Sequence, residues 1–234
     1  MIAILRRELS GYFNSAIAYV VLAVYFFFSG FSFHDTCFLG DSTNLSPVFA
    51  FMFYIIMFII PVLTMKTFAE EKRQKTDQAL LTSPVSLSEI VLGKFLGALI
   101  IYALCCLIFV VYAVVISFFA PPQWSLVLCT LLGIFLLGMC MISVNIFISA
   151  LTESMVVAAV VGMGAGLLIA TMNNFISVIP VKWITDTLEK ISMLNYYTNF
   201  TYGIVSPADV VFYLSVTALF LFFTVLSLEK RRWS

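Results

Sequence analysis

Residues 70–94 read EEKRQKTDQALLTSPVSLSEIVLGK and hold Glu70, Glu71, Lys72, Arg73, Lys75, Asp77, Glu89 and Lys94. That is a third of the charged side chains in a 234-residue chain that is 10% charged and 62% hydrophobic. Carboxylates and cations gathered this closely can exchange protons, pair with one another or dock a partner. A proton relay or an intramembrane protease would need an acidic pair at membrane depth, and the apolar segments contain none. His34 is the single histidine, which excludes a paired-histidine haem and speaks against a zinc hydrolase, as does the lack of an H-E-x-x-H motif. No glycine-rich loop followed by Lys and Ser or Thr occurs, so this chain cannot cradle nucleotide phosphates and its energy source must be another chain. Met139 and Met141 beside Cys140 have the softness for a metal, but methionine is an ordinary filler of apolar helices. No catalytic residue, metal ligand or cofactor is expected; pairing and docking remain.

The charges lead into a bracketed helix. Thr76 is placed as an N-cap, Asp77 suits the dipole of a first turn, and Pro84 disfavours helical geometry at Ser83, so a helix of about two turns is expected over 77–82. A helix that short is unstable in water unless it docks. It also carries Leu80 and Leu81, with Val85 beyond, where no lipid core hides them. Ser86-Leu87-Ser88-Glu89 then matches a capping box. The stretch reads as a stiff, partly apolar knob on a short tether that docks a soluble partner; the alternative is packing against this chain's own surface, including its N-terminal helix.

The tether is set by membrane helices. A chain this apolar cannot hide its surface from water by folding on itself. Six segments are long and apolar enough to cross a bilayer, roughly 16–33, 48–68, 90–119, 124–150, 155–172 and 210–228, and Pro61 is expected to kink the second. Arg6 and Arg7 before the first segment resemble a signal peptide, but no small-residue cleavage site follows, so an uncleaved helix is expected. Of the basic residues near helix ends, ten fall with the termini and the charged stretch and two, Lys182 and Lys190, fall opposite, which places the termini in the cytoplasm. Five cysteines, four in apolar runs, give no disulfide framework.

Shorter elements lie outside the spans. MIAILRRELSGYF puts Ile2, Leu5, Leu9 and Tyr12 on one helical face with Arg6, Arg7 and Glu8 elsewhere, the pattern of an interfacial helix over 1–14. The 173–209 connection is too long for a bare loop, and Val181, Ile184, Leu188, Ile191 and Leu194 at helical spacing predict an outer amphipathic helix, with NNFISVIP before it dipping back into the membrane. Ser143 and Asn145 in the fourth span are candidates for a pathway or for helix packing, and Lys66 at the inner end of the second for snorkelling. GMGAG in the fifth follows no strand, so Gly162 and Gly166 read as a small-xxx-small packing face rather than a dinucleotide loop.

Four stretches carry a resemblance across essentially the whole chain: MIAILRRELSGYFNSAIAYV, EEKRQKTDQALLTSPVSLSEIVLGK, SALTESMVVA and DVVFYLSVTALFLFF. Together they resemble the permease of type-2 ABC (ATP-binding cassette) exporters, nearest to the gliding-motility-associated branch. The resemblance implies an all-α polytopic fold with six transmembrane helices in one permease domain, an N-terminal elbow helix at Arg6, Arg7 and Glu8, and a cytoplasmic coupling helix within 69–89. It implies that Glu70, Glu71, Lys72, Thr76, Leu80, Leu81, Ser83 and Pro84 couple to an ATPase, with Thr152 and Glu153 in a second cytoplasmic loop. The family pattern has glycine where Lys75 stands and glutamate where Gln78 stands; the lysine loses freedom for positive φ and the glutamine a charge. The implied partners are ATPase subunits holding ATP and Mg, a second permease copy or homologue, an outer-facing accessory subunit and membrane lipid, but no nucleic acid. The expectation is a non-enzymatic permease subunit of an exporter in a bacterial inner membrane; the alternative is a scaffold anchoring a gliding or secretion complex without moving substrate.

Overall fold

A computed structural model describes residues 2–40, 42–76, 85–119, 121, 123–176 and 182–232. Within them the chain is helical. A short helix α1 (Ile2–Phe13) precedes α2 (Ala16–Phe33), which Ser15 caps and which runs on as a π-helical turn (His34–Leu39). Then come α3 (Ser46–Thr64), the five-residue α4 (Ala69–Arg73), α5 (Leu87–Ser117), α6 (Trp124–Leu151) and α7 (Met155–Ile176). Two short helices, α8 (Lys182–Ile191) and α9 (Met193–Thr201), lead to α10 (Pro207–Arg232). Six of these elements are long and apolar enough to cross a membrane.

Each boundary has a local cause. Ser86 sits at φ −68° and ψ 144° and its hydroxyl accepts the Glu89 N–H at 3.3 Å, starting α5 as the capping box requires. Pro61 lies inside α3, and the helix gives way to turns after Thr64. Helix α6 is the hub: it packs on α3, α4, α5, α7, α9 and α10. Its approach to α5 depends on Gly138, where a Cβ would come within 2.1 Å of the buried Tyr102 ring.

Two expectations need correction. The outer segment is not one amphipathic helix but two, and Asn173 to Ile176 extend α7 rather than dip back; residues 177–181 lie outside the described residues. Helix α9 enters the bundle: the Tyr197 hydroxyl donates to the Phe49 carbonyl at 2.8 Å, and Phe200 lies where a Cβ on Gly133 would come within 2.5 Å. On α1, Ile2 is 79% exposed, whereas Ile4 and Leu9 join the core. Glu8, placed by the sequence away from the apolar face, turns inward.

Candidate functional site

The charged stretch begins with α4. Glu70 and Glu71 stand in its first turn and Lys72 and Arg73 in its last, each sign favoured by the helix dipole. Five residues cannot hold a helix alone, and α6 supplies what α4 lacks. The Ser149 hydroxyl accepts the N–H groups of Phe68 and Ala69 at 3.2 and 3.1 Å and sits 3.3 Å from the Met65 carbonyl, its acceptor. Lys72, buried, donates to the carbonyl of Ala150 at the end of α6. The root of the loop is thereby fixed to the end of the fourth span.

Beyond α4 the chain turns by a Schellman motif. The Thr76 N–H donates to the Glu71 carbonyl at 3.0 Å and the Lys75 N–H to the Lys72 carbonyl at 3.1 Å. The motif needs a left-handed residue, and Lys75 takes it with φ 57°, the sole non-glycine with positive φ among the described residues. The sequence-based expectation that lysine would forgo this conformation is corrected: two satisfied carbonyls outweigh a left-handed cost of about 1–2 kcal/mol. Lys75→Gly is expected to stabilise the turn by about 0.5–1 kcal/mol, the left-handed penalty less the entropy glycine loses. Hydrogen exchange at the Thr76 amide should slow about two- to fivefold; unchanged exchange would show the strain is absorbed elsewhere.

The centre of the site is Lys94, about two turns past the head of α5 and 1% exposed. Its Nζ donates to Glu8 Oε1 at 2.8 Å and to Glu71 Oε1 at 2.9 Å, and lies 5.1 Å from the centroid of the Phe68 ring. Arg7 approaches the same Glu71 oxygen at 3.7 Å, so two cations and two carboxylates balance. One ammonium thus ties together α1, α4 and α5. The contact is close because α1 lies on Gly93 and Gly97: a Cβ at either would meet Ile4 at 2.8 Å or Glu8 at 3.1 Å. Tyr12 completes it, donating to the Leu63 carbonyl at 3.4 Å; burial, and secondarily Glu8, holds its phenol well above the usual range.

The other predicted residues fall as follows. Glu70 pairs across one turn with Lys66 at 3.9 Å, at the surface. The Thr76 hydroxyl donates back to the Glu71 carbonyl at 3.3 Å. Leu80, Leu81, Ser83 and Pro84, with the expected helix over 77–82 and Gln78, lie outside the described residues. The Thr152 hydroxyl accepts the Ser154 N–H at 3.2 Å in the α6–α7 connection, where Glu153 is exposed. Arg6 is exposed while its neighbours Arg7 and Glu8 join the cluster. Ser143 and Asn145 are buried and bond back to the Cys140 and Met141 carbonyls of their own helix. Gly162 faces Asn145 and Pro61, and Gly166 faces Met57.

Sequence reasoning counted Lys94 only as a basic residue marking the side of the membrane. Two signals bore on it: a charge set inside Val91-Leu92-Gly93-Lys94-Phe95-Leu96, which needs a partner, and the small-xxx-small pair Gly93 and Gly97, which announces a helix lying across α5. A family model described as ABC-2 type transporter matches residues 1–208. A search of curated proteins found no match.

Proposed function

The chain belongs to the ABC-2 type transporter family and is a transmembrane component of a transporter, and from that premise we propose that it is the permease subunit of an ATP-driven exporter. Two copies, or one copy and a homologue, form the pathway between them. Separate ATPase subunits, which hold ATP and Mg, seat the segment around 76–83 in a cleft. Closure of the ATPases carries that segment, and α3 and α5 tilt with it as levers. The termini are cytoplasmic, as the ten-to-two bias of basic residues supports, and the resemblance to gliding-motility permeases supports a bacterial inner membrane and an outer-facing accessory subunit. A scaffold that moves no substrate is not favoured by the family.

The observation that supports this reading best is the anchoring of the loop's root. A partner shifts a conformational equilibrium only by binding one state better than another, and a docked segment passes that bias on only if its attachment does not yield. Here the attachment is made at Ser149 and Ala150 of α6 and at Lys94 of α5, so displacement of the loop is shared with α1, α5 and α6.

The test is Leu80→Asp together with Leu81→Asp. Burying a leucine contributes about 1.5–3 kcal/mol, so losing two lowers affinity for a cassette ATPase by about two to four orders of magnitude. The double variant is expected to insert in the membrane and to lose co-purification of a cassette ATPase. Undiminished recovery of the ATPase would overturn the reading.

A further inference from the structure

A cavity of about 410 Å³ lies between α1, the inner end of α3 and α4, within the range that holds small ligands. Its lining includes Ile17 of the first span and Leu63 of the second together with Arg7, Lys66 and Glu70. Its charged groups are not equally engaged. Lys94 is bound at 2.8 and 2.9 Å by two carboxylates. By contrast Arg7 stands 3.7 Å from Glu71 and Lys66 3.9 Å from Glu70, beyond hydrogen-bond length, and these side chains are 64%, 34% and 32% exposed for Arg7, Lys66 and Glu70. Glu70 also accepts the Gln74 side-chain amide through its other oxygen, at a long 3.4 Å, so two cations and one carboxylate face the cavity with capacity to spare.

We infer that this cavity binds a phosphoethanolamine group, as the headgroup of a phospholipid in the leaflet on the side of the chain termini. The phosphate bonds Arg7 and Lys66, and the primary ammonium bonds Glu70. Charge selects the class. The lining sums to zero, three cations (Arg7, Lys66, Lys94) against three carboxylates (Glu8, Glu70, Glu71), which suits a zwitterion better than an anion. The ammonium must be primary, because a carboxylate rewards N–H donors, whereas a quaternary ammonium seeks an aromatic cage and Tyr12 alone, its hydroxyl held by Leu63, does not make one. Ile17 and Leu63 argue for the lipid rather than a soluble metabolite, since they belong to segments that enter the membrane and would meet the first carbons of an acyl chain.

The full-length protein, purified from vesicles holding equal parts of phosphatidylethanolamine, phosphatidylcholine and phosphatidylglycerol, is measured for retained lipid by native mass spectrometry. Phosphatidylethanolamine is expected at about tenfold or more over phosphatidylcholine, the worth of one charge-assisted hydrogen bond. Glu70→Gln, which leaves the Lys94 cluster untouched and gives the lining a net positive charge, is expected to hand the preference to phosphatidylglycerol. Lys66→Met with Glu70→Gln is expected to abolish it, with the elution profile showing that the protein remains folded. Equal retention of the three lipids, or a Glu70→Gln variant with unaltered preference, overturns the inference. So does displacement of the lipid by an equal concentration of soluble glycerophosphoethanolamine, which would make this a metabolite site.

Discussion

Lys94→Met is expected to destabilise the protein by about 3–5 kcal/mol, the cost of removing one partner from a buried ion pair. The size follows from what remains. Glu8 and Glu71 both aim an oxygen at the vacated point, with side chains only 15% and 13% exposed. Arg7 is the nearest remaining cation and stands largely in solvent. A methionine chain fills the space beside Phe68 but offers no donor, so each carboxylate keeps its desolvation cost and gains a like-charged neighbour. The consequence is local before it is global: α1 is held to α5 by this contact and by the Gly93 and Gly97 face, and it should detach first. Trypsin, which cuts after Arg6 and Arg7, is expected to cleave within α1 and release residues 1–7 from Lys94→Met far faster than from the natural protein, and the temperature of thermal unfolding should fall. The control is the triple variant Lys94→Met, Glu8→Gln, Glu71→Gln. Replacing a whole buried ion group by neutral side chains of similar volume is often neutral, so this variant should recover most of the stability. If Lys94→Met unfolds within about 0.5 kcal/mol of the natural protein, the range of an inconsequential surface change, the cluster does not hold the elbow.

The triple variant also separates folding from coupling. Under the proposed mechanism the ion group makes α1, α4 and α5 move together. With the charges gone and the fold recovered, the helices pack by shape alone, and ATP hydrolysis by the associated ATPase should respond less to transport substrate than in the natural complex.

What the sequence made legible depends on range. The six spans were readable because hydrophobic length is summed along the chain and needs no partner; α6, expected over 124–150, is observed at Trp124–Leu151. The Ser86 cap was readable because its acceptor and donor lie three residues apart. Lys94 was not, because its burial is decided by Glu8, 86 positions earlier, and Glu71, 23 earlier; alone, a lysine near a helix end looks like a topology signal. Helix α9 was missed because its buried face, Met193, Tyr197 and Phe200, mixes aromatic rings with polar neighbours, and the tyrosine's place is set by a carbonyl on α3. Lys75 shows a local rule yielding to its surroundings: the position usually given to glycine is left-handed here as well, and the turn forms because its carbonyls are satisfied.

The GMGAG segment of α7 offers the second large effect with an internal control. Gly162→Ala and Gly166→Ala are each expected to cost about 1–3 kcal/mol, the range for inserting a methyl group into packed interior. Gly164→Ala should be neutral or stabilise by up to about 1 kcal/mol, since a Cβ there meets nothing within 4 Å and alanine is the better helix former. The obstruction at Gly162 is the Asn145 Oδ1, 2.0 Å from where the new atom would sit, with the Pro61 ring at 3.0 Å. Asn145 cannot swing away freely: it is buried, and its Nδ2 is tied to the Met141 carbonyl at 2.9 Å. At Gly166 the obstacle is backbone, the Met57 carbonyl oxygen at 3.0 Å. That carbonyl lies four residues before Pro61, which has no N–H to give it, so this part of α3 is less constrained by its own hydrogen bonds and more by the helix beside it. If α3 tilts during transport, α7 must travel with it through these two contacts, and a methyl group at either should reduce transport more steeply than it lowers thermal stability. Equal losses across all three alanine variants would place the close approach elsewhere on α7 and leave α3 free to tilt without it.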